Sequence, residues 1–176
     1  WMAVFDWVVY GNSTRTWLIA LLAAAFAFAA LRVLKIILLR SLGHFARRTR
    51  SGLDDIAVAT IEATRVWFLV GLCLWVGALP LLLPERLRIV LQHGVAVLLL
   101  LQIGVWGSVA VRTHVHRYGL RRSDEDAASI MTVRALGFLA TVSLWSVLVL
   151  VALDNIGIDI TALVAGLGVG GVAVAL

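Results

Sequence analysis

Long apolar runs separated by short polar stretches dominate this chain of 176 residues. Five such runs can be counted, at 17–39, 66–83, 89–111, 135–153 and 160–176. Each is close to the roughly 20 residues with which an α-helix crosses a bilayer, and none has the strict alternation of a membrane β-strand. The pattern therefore predicts an all-α, polytopic membrane protein with five transmembrane helices.

Composition agrees with this prediction, since 62% of the residues are hydrophobic and only 14% are charged. The net charge of +5 raises the possibility of a nucleic-acid partner, but the basic residues concentrate in the loops at 40–50 and 112–122. That asymmetry follows the positive-inside rule, so we expect no nucleic acid partner and an amino terminus on the outer side. Three tryptophans near the predicted interfaces are expected to be lipid-facing anchors, namely Trp17, Trp67 and Trp106.

Two inner loops end in a serine followed by carboxylates, which is typical of a helix start. We therefore expect long unbroken helices from Ser51 to Leu83 and from Ser123 to Leu153. Inside the first run, Arg32 and Lys35 are expected to extend their charged groups toward the inner headgroups. In the third run, Gln102 is expected to bond a neighbouring helix, and the lone cysteine, Cys73, is expected to be a small buried residue.

The last run is built largely from small residues. On a helical wheel it has two nearly opposite small faces, one with Gly166, Gly170 and Ala173, the other with Gly168, Gly171 and Ala175. Two bulkier faces lie between them, one with Ala165, Val169, Val172 and Leu176, the other with Ile160, Leu163, Leu167 and Val174. Opposite small faces suit a helix that has a like neighbour on each side, as in a symmetric ring, while an ordinary packed Gly-rich helix also has this spacing.

The stretch "LDNIGIDITALVAGLGVGGVAVAL" resembles the pore-lining helix and preceding turn of the MscS-type small-conductance mechanosensitive channels. The "SGLDD" return to the membrane resembles larger members with additional amino-terminal helices. The resemblance implies a homo-heptamer, with membrane lipids as partners, in the bacterial inner membrane. It also implies opening by membrane tension, release of ions and small solutes on hypo-osmotic shock, and a cytoplasmic domain outside this chain.

Carried onto individual positions, the resemblance implies a pore seal at Val172 and Leu176, pore lining at Ala165 and Val169, and helix contacts along the two small faces. Asp159 is expected to cap the last helix at its outer mouth, where a ring of such acids would bias cation access. The chain then divides into an outer amino-terminal segment, additional helices with the first sensor helix, a fourth span, and an outer turn with the pore helix, at 1–15, 16–118, 119–153 and 154–176.

Other functional classes have weaker support in the sequence. No nucleophile with a base, phosphate-binding loop or catalytic acid pair is visible, so we expect neither an enzyme nor a cofactor. His114 and His116 alone are a weak indication of a metal site. A secondary transporter, or a membrane anchor or scaffold of a cytoplasmic domain, stays open as an alternative, and suction-activated conductance distinguishes a channel from both.

Overall fold

The computed structural model describes residues 11–46, 52–121 and 127–175. The elements in these ranges are all α-helices, so the all-α prediction is confirmed for them. The helices are α1 (Thr14–Ala46), α2 (Gly52–Glu62), α3 (Val66–Ala78), α4 (Glu85–Arg121), α5 (Ala127–Asn155) and α6 (Thr161–Ala175).

Three of the helices are long and apolar enough to cross a membrane: α1, α4 and α5. The pair α2 and α3 reaches that length only when the two are counted together as one broken span. Helix α6 is apolar, but its 15 residues extend over about 22 Å, which is less than the roughly 30 Å hydrocarbon core. The described residues thus support three spans, or up to four with the bent pair, and the count of five stays a prediction.

The expectation of one unbroken second helix from Ser51 to Leu83 is wrong. Helix α2 ends at Glu62, α3 begins at Val66, and the two are bent by 66°. Arg65 between them is extended, with φ −78° and ψ 147°, so the helical hydrogen-bond ladder stops there. Helix α3 also ends at Ala78, before the turn to α4 that contains both prolines. The proposed caps at residues 51 and 123, and with them the start of the fourth predicted helix, lie outside the described residues.

The helices pack in a series along the chain. Helix α1 lies against α2 and α3, both of these lie against α4, and α5 packs chiefly on α4. By contrast, α6 has no packed interface with any of the other five helices in the described part of the chain. The first five helices therefore form a connected bundle, and α6 is attached to it through the turn after α5.

Glycines allow the closest helix approaches within this bundle. A Cβ atom placed on Gly77 of α3 would lie 2.9 Å from both the carbonyl oxygen of Ala20 and the Cβ of Ala24 in α1. Between α4 and α5, a Cβ on Gly104 would lie 2.8 Å from the Trp145 ring. Small residues permit such contacts between membrane helices, where packing rather than water exclusion drives association.

Polar contacts hold together the end of the bundle at which α1 begins. The buried Asn12 accepts a hydrogen bond from the backbone N–H of Leu82 at 2.7 Å and donates one to the carbonyl of the same residue at 3.0 Å. Next to it, the Ser13 hydroxyl accepts from the backbone N–H of Thr16 at 3.4 Å, at the start of α1. The segment before α1 is thereby tied to the turn between α3 and α4.

Candidate functional site

The site begins at the turn that redirects the chain from α5 into α6. Gly157 adopts a positive φ of 89°, a conformation that glycine enters without a steric penalty. The N–H of Ile158 donates to the carbonyl of Leu153 at 3.0 Å, and the N–H of Gly157 donates to that of Asp154 at 2.9 Å. These two bonds form a Schellman motif, which satisfies the last carbonyls of α5 and ends the helix at a defined residue.

Asp159 organises the start of α6. Its Oδ1 atom accepts hydrogen bonds from the backbone N–H of Thr161 at 2.9 Å and from the Thr161 hydroxyl at 2.6 Å. These bonds favour the ionised carboxylate and lower the pKa of Asp159 below its ordinary value. The carboxylate is exposed and precedes the first turn of α6, so its charge also suits the positive end of the helix dipole.

In the single chain, helix α6 is exposed on all sides along its described length. From Thr161 to Ala173 every side chain is exposed, with Val169 at 74% and Val172 at 63%. A Cβ atom on any of the four helical glycines, Gly166, Gly168, Gly170 and Gly171, would meet nothing within 4 Å. Within the described chain, therefore, no other helix packs closely against the small residues of α6.

The sequence-predicted pore residues lie on this exposed helix. Ala165, Val169 and Val172 have exposed side chains, as has Ala173 on one small face. For Ala175 only the backbone is described, and Leu176 lies outside the described residues. The seal, the lining and the contacts between neighbours need more than one copy of the chain, so these roles stay predictions.

A match to a known family covers this part of the chain. Residues 136–176 match the family model described as "Mechanosensitive ion channel, transmembrane helices 2/3". Over this region the chain is similar to the MscS-type mechanosensitive channels. The MscS-type region starts in α5 at Leu136 and includes the turn and α6, and the family is one of ion channels rather than enzymes. No curated protein and no solved structure gives a match to the chain.

The family match confirms the resemblance inferred from the last 24 residues and supports a mechanosensitive channel in general terms. MscS-type channels are oligomeric membrane proteins, which agrees with the long apolar helices of the bundle. Among the described residues, no group of three or more His, Cys, Asp or Glu side chains comes together as a metal site would require. What the described part of α6 offers is an exposed, apolar helix surface.

The three predicted anchors lie in different environments. Trp17 is half-buried, and Trp67 is 42% exposed. Trp106 is half-buried, donates its indole N–H to the hydroxyl of Thr64 at 3.2 Å, and makes an edge-on contact with the buried ring of Phe68. The polar edge of Trp106 is therefore used inside the chain, and the lipid-facing role of all three stays a prediction.

A second polar cluster surrounds the break between α2 and α3, and sequence reasoning recognised only part of it. Lys35 was expected to reach the headgroups, but its ammonium donates to the backbone carbonyls of Glu62 and Thr64. Gln102 does bond a neighbouring helix segment, as expected, and it is completely buried. In the sequence this cluster is indicated by a Lys and a Gln within apolar runs, because polar groups inside a membrane span need hydrogen-bond partners.

Proposed function

We propose that this chain forms part of a tension-gated channel that releases ions and small solutes on hypo-osmotic shock. In this proposal α6 lines the pore within a ring of identical chains, seven if the resemblance extends to stoichiometry. The single observation that carries it is that α6 is the apolar helix without a packed interface in the described chain, within the region that matches the MscS-type family.

The surface of α6 supports the ring. Lipid can cover an apolar helix, but close packing through small residues drives association of membrane helices, and two nearly opposite Gly and Ala faces offer such packing to a neighbour on each side. Neighbours that repeat one such contact around an axis close into a ring with a lumen. Because the glycines of α6 meet no atom of their own chain, partners from other copies are the proposed occupants of that space.

The pore seal is proposed at Val172 and Leu176, with Ala165 and Val169 lining the lumen above it. The helix from Thr161 onward contains no charged residue, so a narrow ring of these side chains is apolar and can exclude water, and with it ions. Tension then favours the state with the larger area in the membrane plane, as any bias shifts a two-state equilibrium. The small faces would slide past one another during this change.

The localisation, the orientation in the membrane and a role for Asp159 are part of the same proposal. The excess of basic residues in two loops supports an amino terminus that faces outward, and the similarity to MscS-type channels supports a place in the bacterial inner membrane. Asp159, exposed at the outer end of α6, would form a ring of acids in the assembled pore and bias cation access. A cysteine-accessibility assay on intact cells tests the orientation.

The test of the channel is made on the full-length protein in cells that lack their own mechanosensitive channels. We expect membrane patches to show a conductance that opens with suction, and the cells to survive a sudden drop in osmolarity. A solute flux that does not respond to suction, from a dimer counted by native mass spectrometry, would instead favour the transporter.

The seal is tested by Leu176→Ser, with Leu167→Ser as the matched control on the opposite bulky face. We expect Leu176→Ser to wet the lumen and leak at rest, whereas Leu167→Ser stays closed. If Leu167→Ser leaks and Leu176→Ser does not, the helix faces have been assigned the wrong way round. If both stay closed, Leu176 is not part of the seal.

A further inference from the structure

A cation within the first apolar run is bound to the end of another helix. Lys35 lies in α1, half-buried, and its Nζ donates to the carbonyl oxygen of Glu62 at 3.1 Å and to that of Thr64 at 2.9 Å. Both carbonyls stand at the carboxyl end of α2. A positive charge there pairs with carbonyls that have no partner in their own helix and with the negative end of the helix dipole.

A side chain from α4 satisfies the backbone groups between these carbonyls. The fully buried Gln102 donates its Nε2 to the carbonyl of Ala63 at 3.4 Å and accepts the backbone N–H of Arg65 on its Oε1 at 3.2 Å. Trp106, one helical turn further along α4, holds the Thr64 side chain. We call Lys35, Gln102 and Trp106 the clasp, and together they engage every residue from 62 to 65.

The clasp and a straight helix exclude each other. In an unbroken α2–α3 helix, backbone groups 62–65 would bond within the helix. Lys35 would lose its two carbonyl partners, and the fully buried Gln102 would be left without partners, which is costly. The break contains neither Pro nor Gly, and outside side chains that bond into the helical ladder are one known cause of such a bend. The 66° bend and the hydrogen bonds of the clasp occur together in the structure.

The clasp lies where the first helix is joined to the rest of the chain. Helix α1 contacts α2 and α3, and these contact α4, which carries α5. Near the amino-terminal end of α2, Asp55 forms an ion pair with Arg117 of α4. The contacts from α1 to α4 thus run through α2 and α3, and the clasp holds the segment that joins these two helices.

We propose that Lys35 and Gln102 are positioning residues for gating, because they hold α2 at its angle to α3 and so couple α1 to α4. Without the clasp, α2 and α3 straighten, α1 is coupled more loosely, and more tension is needed to open the pore. The gating part of this inference rests on the proposed function, whereas the bend does not.

The bend is measured in the full-length protein in liposomes, with spin labels at Val58 and Leu74 and Cys73 replaced by Ser. At a rise of about 1.5 Å per residue these positions are about 24 Å apart along a straight helix and about 20 Å apart across the 66° bend. The threshold is measured on the same variants in patches. We expect Lys35→Met and Gln102→Leu each to lengthen the label distance by about 4 Å and to raise the threshold at unchanged single-channel conductance.

Two further variants separate the clasp from a general loss of charge or folding. Lys35→Arg keeps a donor cation and is expected to retain the parent distance and threshold. Arg32→Met removes an exposed cation one turn earlier in α1, beside Phe28, and is also expected to leave both unchanged. A threshold that shifts equally in Arg32→Met and Lys35→Met would overturn the proposal.

The remaining outcomes are equally decisive. If Lys35→Met and Gln102→Leu keep the parent distance, the clasp does not select the bend and the inference is wrong. If the distance lengthens while the threshold stays, the clasp has no part in gating, which also overturns it. A parent protein without suction-activated current refutes the proposed function instead, and the label distances still test the bend.

Discussion

Two glycines that look alike in the sequence should respond in opposite ways to the same added methyl group. Gly77 is buried where α3 crosses α1, and Gly170 lies on the exposed α6. We consider Gly77→Ala and Gly170→Ala as a matched pair, since both exchange a glycine inside a helix for alanine. The pair distinguishes a glycine whose neighbouring space is filled by the chain itself from one whose neighbouring space is open to another copy.

The magnitudes follow from what each new methyl group meets. At Gly77 it would lie 2.9 Å from a backbone carbonyl oxygen, about 0.5 Å closer than the 3.4 Å of ordinary contact, and a backbone atom cannot rotate away. Such overpacking costs about 1–3 kcal/mol, against a gain of about 1 kcal/mol from the better helix former. We expect a net loss of up to about 2 kcal/mol for Gly77→Ala. At Gly170 nothing lies within 4 Å, so only the gain of about 1 kcal/mol applies within the chain.

The assay separates stability of the chain from stability of the assembly. Unfolding of the full-length protein by a denaturing detergent, followed by circular dichroism under conditions that dissociate the oligomer, reports on the chain. Native mass spectrometry and patch recording report on the assembly. We expect Gly77→Ala to unfold earlier, whereas Gly170→Ala unfolds no earlier than the parent but weakens the oligomer and raises the tension threshold.

One result would refute the reasoning directly. If Gly170→Ala leaves both the oligomer and the threshold unchanged, the small face that contains Gly170 does not touch a neighbour, and α6 is not packed in a ring through it. If Gly77→Ala proves as stable as the parent, α1 and α3 are further apart than the structure places them.

Other contacts can be tested in the same detergent assay. Trp145 donates its indole N–H to the Ser108 hydroxyl at 2.9 Å, so Trp145→Phe and Ser108→Ala should each destabilise the α4–α5 pair, with a coupling of about 0.6 kcal/mol in a double-mutant cycle. Asn12→Ala should cost about 1–3 kcal/mol, because it removes two hydrogen bonds to the Leu82 backbone, each contributing about 0.5–1.5 kcal/mol. The pKa of Asp159 is lowered, so the ionised carboxylate stabilises the start of α6 above about pH 4, and this stabilisation is lost as the pH falls through the lowered pKa. Asp159→Asn should abolish that acid-dependent step in a pH titration of the α6 signals.

The helical class and the positions of α1, α4 and α5 could be predicted from the sequence, because the length of an apolar run is a local property. The same is true of the turn before α6, where Gly157 and Asp159 act on residues within five positions of themselves. The family of the carboxyl-terminal region was also recognisable, since its pattern of small residues is contiguous.

The break in the second predicted helix could not be read in the same way. The side chains that bond its backbone groups are Lys35 and Gln102, which are between 27 and 39 positions away from those groups. Nothing local to residues 62–65 indicates a bend, as they include no Pro or Gly. Side chains that satisfy a backbone ladder from outside become visible only when the helices are packed together.

By itself the sequence determined that the chain is helical, apolar and built to cross a membrane, and which helix is rich in small residues, because hydrophobic length and residue size are properties of a segment. Only the tertiary structure decided which glycines the chain uses for its own packing, as at Gly77 and Gly104, and which it leaves open, as at Gly170. The physical reason is that contact depends on what stands opposite a residue, and a membrane helix has the same small face whether its neighbour belongs to its own chain or to another copy.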